Sequence, residues 1–146
     1  MASRYWVGGT DTWNGTAASK WATTSGGAGG ASAPTSADDV FFDGNSGSGT
    51  VTSGSGASAK SVNFTGYTGT FTPGGSSISL YGDLTFGSGM TLTSSPSTSA
   101  FIVQSGTTCN LTTNGKTIPF KVNVSGGTIS YQHAYRDWET DRKSVV

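Results

Sequence analysis

The stretch SVNFTGYTGTFTPGGSSISLYGDLTFGSGMTLT, residues 61–93, decides the fold. Its apolar residues come in pairs two positions apart, and this spacing places both members of a pair on one face of a strand. Glycines stand between the pairs and indicate tight turns, so the pattern predicts strands of about 4–6 residues. The pairs in and beyond this stretch are Val62/Phe64, Ile78/Leu80, Leu84/Phe86, Met90/Leu92, Ile118/Phe120 and Val122/Val124.

The predicted strands group into rungs of similar length along the chain. The rungs cover residues 61–76, 77–97, 98–116 and 117 onward, a spacing of roughly 20 residues that is typical of β-helical solenoids. A single rung cannot bury its own apolar face, so stacked rungs have to supply the core. We therefore predict an all-β chain that forms a β-solenoid of the parallel β-helix kind. The alternative is an antiparallel β-sandwich, whose strands recur every 8–12 residues or so.

Composition and charge argue against several classes of function. The net charge is zero and charged residues make up 11% of the chain, with no basic run, so nucleic-acid binding through phosphate contacts is not expected. No apolar segment approaches the roughly 20 residues that cross a bilayer, and we expect no membrane insertion. Cys109 is the one cysteine, so no internal disulfide is possible, and we expect its thiol to be a small buried apolar group in a strand.

The last sixteen residues differ in composition from the rest of the chain. Residues 131–146 contain the one His and the one Glu, and residues 141–146 resemble a translated reading frame of a common sequencing adapter. We interpret residues 131–146 as a non-native read-through tail, unstructured or irregular, and expect the natural C-terminus to be missing. A genuine amphipathic tail is the alternative. The predicted organisation is a cap module at 1–48, truncated glycine-punctuated strand repeats at 49–130, and this tail.

The residues outside the tail offer little for catalysis. Without His there is no Ser–His or Cys–His pair for nucleophilic hydrolysis, and glycan cleavage needs two carboxylates placed across the scissile bond. We therefore predict no enzyme, no catalytic residues and no cofactor. The one acidic cluster comprises Asp38, Asp39 and Asp43 with Asn45, which is a candidate Ca²⁺ site because this ion prefers oxygen ligands. The alternative is that Asp38 and Asp43 cap the turns on either side of a strand.

Aromatic residues are concentrated near the N-terminus. Trp6, Trp13 and Trp21 lie in the first 21 residues, followed by Phe41 and Phe42. Because a solenoid has an open end with an apolar interior and unpaired backbone groups, we expect these five side chains to cover that end. The alternative is that the three Trp rings contact a glycan.

This N-terminal block resembles a module of tailed-phage virion and tail-fibre-like proteins. The resemblance rests on YWVGGTDTWN at residues 5–14, WATTSGG at 21–27 and PTSADDVFFD at 34–43. The module also occurs in large secreted surface adhesins of Bacteroidetes and is similar to autotransporter-associated β-strand repeats. One departure is Asp11, where the module has Gly in a Gly-Thr-Gly turn.

The resemblance implies a virion structural protein, a tail fibre or receptor-binding appendage with a non-catalytic β-solenoid shaft. The block stands beside Met1 with no signal peptide before it, which favours a virion protein assembled in the host cytoplasm. Two alternatives are a fragment of a secreted bacterial cell-surface adhesin and a non-hydrolytic part of a polysaccharide-degrading tailspike. The expected partners are further copies of the chain, other virion proteins and a cell-surface glycan.

Overall fold

The computed structural model describes residues 2–16, 18–94 and 99–132. These ranges contain short β-strands and no helix. The strands are β1 (Ser3–Trp6), β2 (Asp11–Trp13), β3 (Trp21–Ala22), β4 (Asp39–Phe41), β5 (Thr50–Ser53), β6 (Ser58–Ala59), β7 (Ser61–Asn63), β8 (Thr70–Thr72), β9 (Ile78–Leu80), β10 (Leu84–Thr85), β11 (Thr91–Leu92), β12 (Ser99–Val103), β13 (Thr108–Thr112), β14 (Lys121–Val124) and β15 (Thr128–Gln132).

The strands form three sheets that the chain visits in turn. Sheet A has the order β15-β13-β10-β7-β4-β1-β3, sheet B the order β11-β8-β5-β2, and sheet C the order β14-β12-β9-β6. Neighbouring strands come from successive coils and pair in parallel, except that β3 pairs antiparallel with β1. The fold is therefore the predicted β-solenoid, of about four turns, and not the antiparallel sandwich.

The strand register gives the length of each coil. In sheet A, Val40, Val62, Leu84, Leu111 and Tyr131 pair one with the next. Successive positions in this column are 22, 22, 27 and 20 residues apart, which confirms the predicted spacing. The strands are shorter than predicted, at two to five residues, because three strands and their turns have to share one coil.

Stacked aromatic rings fill much of the interior. The ring of Phe64 lies between those of Phe42 and Phe86, with centroid distances of 4.7 and 5.8 Å and interplanar angles of 22° and 14°. Phe71 stacks on Phe101 at 5.3 Å, and all five side chains are fully buried. Parallel coils place equivalent residues about 4.8 Å apart, so Phe42, Phe64 and Phe86 adopt the offset stacking that aromatic pairs prefer, whereas Phe71 and Phe101 stack between sheets B and C.

The apolar pairs face the interior, as their spacing predicts. Both members are buried in the three pairs of the central coils, and each of the other three pairs has one buried member and one partly buried member packed against the core. The first group is Val62/Phe64, Ile78/Leu80 and Leu84/Phe86, and the second is Met90/Leu92, Ile118/Phe120 and Val122/Val124.

The N-terminal segment closes one end of the solenoid. Trp6 pairs with Trp21 where β3 adds to the edge of sheet A. Trp6, Trp13, Trp21 and Phe42 are fully buried, and the rings of the three Trp lie 5.6–6.0 Å from the ring of Phe42. These four side chains form the aromatic cap that the sequence predicts.

Phe41 does not belong to the cap, contrary to prediction. Its side chain is half-buried on the outer face of sheet A, where its ring stacks on that of Tyr5 at 4.9 Å and 18°. Consecutive strand residues point to opposite faces, and Val40 and Phe42 take the inward positions. Phe41 therefore has to face outward.

Strand β15 crosses the boundary predicted for the tail. Tyr131 pairs with Leu111 and Gln132 with Thr112, and Tyr131 packs against the core. Its ring occupies the inward column next to Leu111, so ordered structure continues two residues past residue 130. Residues 133–146 lie outside the described residues.

Gly74 and Gly75 provide a matched test of the close approach between coils. A Cβ on Gly74 would strike the carbonyl oxygen of Ser53 in the preceding coil, whereas one on Gly75 would meet nothing within 4 Å. Gly74→Ala should lower the free energy of unfolding by about 1–3 kcal/mol through overpacking. Gly75→Ala should leave it unchanged or raise it by about 0.4–1 kcal/mol through the unfolded state. Urea denaturation measures both, and equal losses would contradict the contact.

Candidate functional site

The three predicted tryptophans lie inside the cap. Each is completely buried, so none offers a ring face on which a sugar could stack. The Trp6 indole N–H donates to the carbonyl oxygen of Gly9 at 3.0 Å, whereas the indole N–H groups of Trp13 and Trp21 find no acceptor among the described residues. This placement fits packing at the end of the solenoid and gives no support to the glycan-contact alternative.

Asp38 ties the N-terminus to the loop that precedes β4. Its buried carboxylate accepts hydrogen bonds from the N–H of Ala2 at 3.1 Å and from the N–H and hydroxyl of Thr35 at 2.9 and 3.1 Å. Burial acts to raise the pKa of Asp38, but the bonds from Thr35 and Ala2 and the charge of Arg4 outweigh it and lower the pKa. The carboxylate is thus an ionised structural clamp.

The other candidate ligands also have hydrogen-bonding partners. Asp43 accepts a hydrogen bond from the N–H of Asn45 at 2.9 Å and from the Ser25 hydroxyl at 2.7 Å. The side-chain amide of Asn45 donates to the same hydroxyl at 3.0 Å. Asp39 lies on the outer face of sheet A and accepts from the Ser61 hydroxyl at 2.7 Å.

The predicted Ca²⁺ candidate therefore does not form a cluster. Asp38 and Asp39 are neighbours in sequence but make separate contacts, with Thr35 and with Ser61. Over residues 2–16, 18–94 and 99–132, no three His, Cys, Asp or Glu side chains come together as a metal site requires. Asp38 and Asp43 instead bond backbone N–H groups in turns on either side of β4, which is the alternative derived from the sequence.

An ion pair beside β2 was not anticipated from the sequence. The Nζ atom of Lys20 lies 3.0 Å from Oδ1 of Asp11, and this hydrogen bond lowers the pKa of Asp11. Asp11 begins β2 and is not among the residues with positive φ. Its position therefore does not require the Gly that the resembled module has.

Cys109 is the buried group that the sequence predicts. It lies in β13 with no exposed surface. Burial, with a smaller effect from the charge of Asp83, raises the pKa of the thiol to about 12. A thiol that stays protonated at neutral pH is a poor nucleophile and metal ligand.

The outer face of sheet B carries the most regular arrangement of polar side chains. Four threonine–x–threonine triplets lie in consecutive coils, and the middle residues of the second and third, Val51 and Phe71, are fully buried. Because alternate residues face opposite sides, the flanking threonines face outward. We call this surface the threonine face; it consists of Thr10, Thr12, Thr50, Thr52, Thr70, Thr72, Thr91 and Thr93.

The triplets are visible in the sequence, but only the register shows that they coincide. Thr12 pairs with Thr52, and Thr52 with Thr72. Thr50 pairs with Thr70, and Thr70 with Thr91. The outward side chains therefore form two parallel columns that run along the solenoid.

In the part of the chain that the structure describes, no helix has the length and apolar character needed to span a membrane. Comparison of the chain with protein-family models, curated proteins and solved structures finds no match.

Replacing Asp38 tests its role as a clamp. Asp38→Ala leaves the N–H groups of Ala2 and Thr35 without their acceptor and should lower the free energy of unfolding by about 1.5–3 kcal/mol, as for other hydrogen bonds to charged groups. Asp39→Asn, which keeps an acceptor oxygen for Ser61, is the matched control and should change stability by less than about 0.5 kcal/mol.

The role of Asp38 as a clamp predicts that its contribution to stability depends on pH. Because the folded state lowers the pKa of Asp38, its stabilising contribution is complete above the ordinary pKa of about 3.9 and is lost as the pH falls through the lower folded value. The difference in stability between the protein and Asp38→Ala should thus shrink below pH 4 or so. Urea titrations at several pH values measure this, and a constant difference would contradict the clamp.

Proposed function

We propose that the chain is the capped beginning of a non-catalytic β-solenoid shaft in a virion appendage, such as a tail fibre or receptor-binding protein. The observation that carries the proposal is the aromatic interior, which continues from the buried tryptophan cap through the stacked coils. Ring contacts join Trp6 to Phe42, Phe42 to Phe64, Phe64 to Phe86 and Phe86 to Phe120. A core without interruption makes the coils a single rod-like body.

The stacking of coils suits a spacer. Each coil contacts mainly the coils before and after it, so a solenoid lengthens without a change in cross-section, by about 4.8 Å per coil. The cap ends the rod at the N-terminal side. A closed end together with a repeated, stackable unit is compatible with such a shaft.

The polar chemistry of the described residues supports a non-catalytic role. Asp38, Asp39 and Asp43 are each engaged by neighbouring hydroxyl or N–H groups, and the thiol of Cys109 is buried. Residues 2–132 contain neither His nor Glu. The available carboxylates thus hold loops and coils together.

The N-terminal block supports a virion protein through a resemblance that a second setting shares. Residues 5–43 resemble a module of phage virion proteins, and the same module occurs in exported adhesins of Bacteroidetes. A cell-surface adhesin fragment is therefore the second candidate. In either setting we expect further copies of the chain or other structural proteins as partners, and a cell-surface glycan as the ligand of the larger assembly.

Localisation tests the proposal. Antibodies raised against the recombinant chain should label tail appendages in electron micrographs of purified phage particles, and mass spectrometry of those particles should detect its peptides. The control is the envelope fraction of uninfected bacteria, in which neither antibody labelling nor peptides of the chain should be detected. Recovery of the peptides from that envelope fraction alone would establish the adhesin and exclude the virion shaft.

An activity assay tests the absence of catalysis. The complete protein should release no new reducing ends from host capsular polysaccharide: glycan cleavage needs two carboxylates across the bond, and in the described part of the chain Asp11, Asp38, Asp39 and Asp43 are engaged in an ion pair or hydrogen bonds. A known polysaccharide lyase or hydrolase serves as the positive control. Release of reducing ends that is abolished by substitution of Asp83, the remaining acid of the repeats, would make the chain part of an enzyme.

A further inference from the structure

The threonine face is regular in two directions. Adjacent parallel coils are about 4.8 Å apart, and residues two apart along a strand are separated by about 6.7 Å. Paired positions such as Thr50 with Thr70 and Thr52 with Thr72 follow these spacings because the backbone register is unbroken there. The face therefore presents hydroxyl and methyl groups on a small rectangular grid.

Packing limits the freedom of these side chains. Threonine is branched at Cβ and has few allowed rotamers. The Cγ2 methyl of Thr12 lies over Gly54 and that of Thr52 lies over Gly74, the equivalent place one coil further on. Glycine at these two positions leaves room for the methyl group, since a Cβ on either would collide with it. Two successive threonines of this column thus share one orientation.

The hydroxyl contacts within the face lie at its margins. The Thr10 hydroxyl accepts a hydrogen bond from the N–H of Thr50 at 3.1 Å, and the hydroxyls of Thr72 and Thr93 are hydrogen-bonded at 2.5 Å. Thr72 thus takes part in one of these contacts, and the other central positions, at residues 50, 52 and 70, are half-buried between them. The centre of the grid is the part that a ligand would contact.

The face carries no charge and no aromatic ring among its outward residues. Asp11, the middle residue of the first triplet, is neutralised by Lys20. The exposed aromatic side chain, Tyr81, follows β9 in sheet C. The threonine face thus lacks the ring on which a sugar stacks and the charges that would bind an ionic ligand. A rigid, uncharged grid suits a partner that is itself periodic and uncharged.

We propose that the threonine face binds ice. The spacing between coils, about 4.8 Å, approximates the shorter repeat of oxygen atoms on a prism face of hexagonal ice, and the spacing along a strand, about 6.7 Å, is somewhat shorter than the longer repeat. Waters held by the hydroxyls and ordered around the methyls would bridge the face and the crystal lattice. Binding costs little conformational entropy because the threonines are already fixed by their branching and by the coils. This property does not depend on whether the chain belongs to a virion.

The first experiment measures ice growth with the full chain. In a nanolitre osmometer the protein should open a gap between melting and freezing temperatures and shape the crystals into facets. Thr70→Lys, which places a long charged side chain at the centre of the grid, should abolish both. Thr85→Lys, an outward threonine of sheet A, is the matched control and should retain both. Circular dichroism melts confirm that each variant is folded.

A second pair of variants identifies the chemistry of the contact. If ordered water around the methyl group drives binding, Thr70→Val should keep most of the freezing gap and Thr70→Ser should lose most of it. A larger freezing gap in Thr70→Ser than in Thr70→Val would indicate that the face binds its ligand through hydrogen bonds, as it would a glycan. That result would overturn the proposal. The proposal would also be overturned if the folded protein opened no gap between melting and freezing temperatures at any soluble concentration. The same holds if Thr85→Lys lost as much of that gap as Thr70→Lys.

Sedimentation tests the alternative that a second copy of the chain covers the threonine face. The proposal expects the oligomeric state of the protein to be the same in Thr70→Lys as in the unsubstituted chain. Dissociation of an oligomer by Thr70→Lys, but not by Thr85→Lys, would show that the face is an interface between copies and would overturn ice binding.

Discussion

The in-register stacking of short parallel coils is the constraint on which the rest of this structure depends. Every coil hydrogen-bonds to the next, and the pairing of Val40 with Val62 and of Val62 with Leu84 repeats each position one coil further along. Each side chain therefore has its nearest neighbours at the same position of the adjacent coils, about 4.8 Å away. Aromatic rings therefore stack on aromatic rings, as Phe42 does on Phe64. Each interior side chain has to pack against the side chain at the same position of the next coil.

The sequence predicts those features that depend on strand parity and on coil length. Val62/Phe64 and Leu84/Phe86 identify an inward face because alternation is a property of the strand itself. The division of each coil among three sheets was not predicted, since it depends on where short turns bend the chain. Coils of 22 and 27 residues place Val62, Leu84 and Leu111 in one column, so a fixed repeat does not reveal the register. The alignment of the threonine triplets is not apparent from the sequence for this reason.

In the candidate site, too, the sequence predicts what depends on neighbouring residues and does not predict contacts between residues far apart in the chain. Strand alternation is local information, and it excludes Phe41 from the cap once Val40 is known to face inward. Asp38 and Asp43 each have a partner in their own turn and a distant one: Asp38 accepts from Ala2 across 36 residues, and Asp43 accepts from Ser25 across 18. Such contacts depend on how the long loop before β4 folds back, which neither composition nor periodicity specifies.

The stacking of coils also explains why the threonine face on sheet B consists of threonine and not of charged residues. Two carboxylates at one position of adjacent coils would repel each other. The outer column of sheet A accordingly separates Asp39 from Asp83 by Ser61, and Ser61 donates to Asp39. A hydroxyl both donates and accepts, so threonine tolerates another threonine beside it, as Thr72 and Thr93 show. The stacked backbone therefore permits threonine columns of any length, whereas its stability does not require four consecutive coils to carry the same residue at two positions. That repetition exceeds what the fold demands, and it is the reason for assigning the threonine face a ligand.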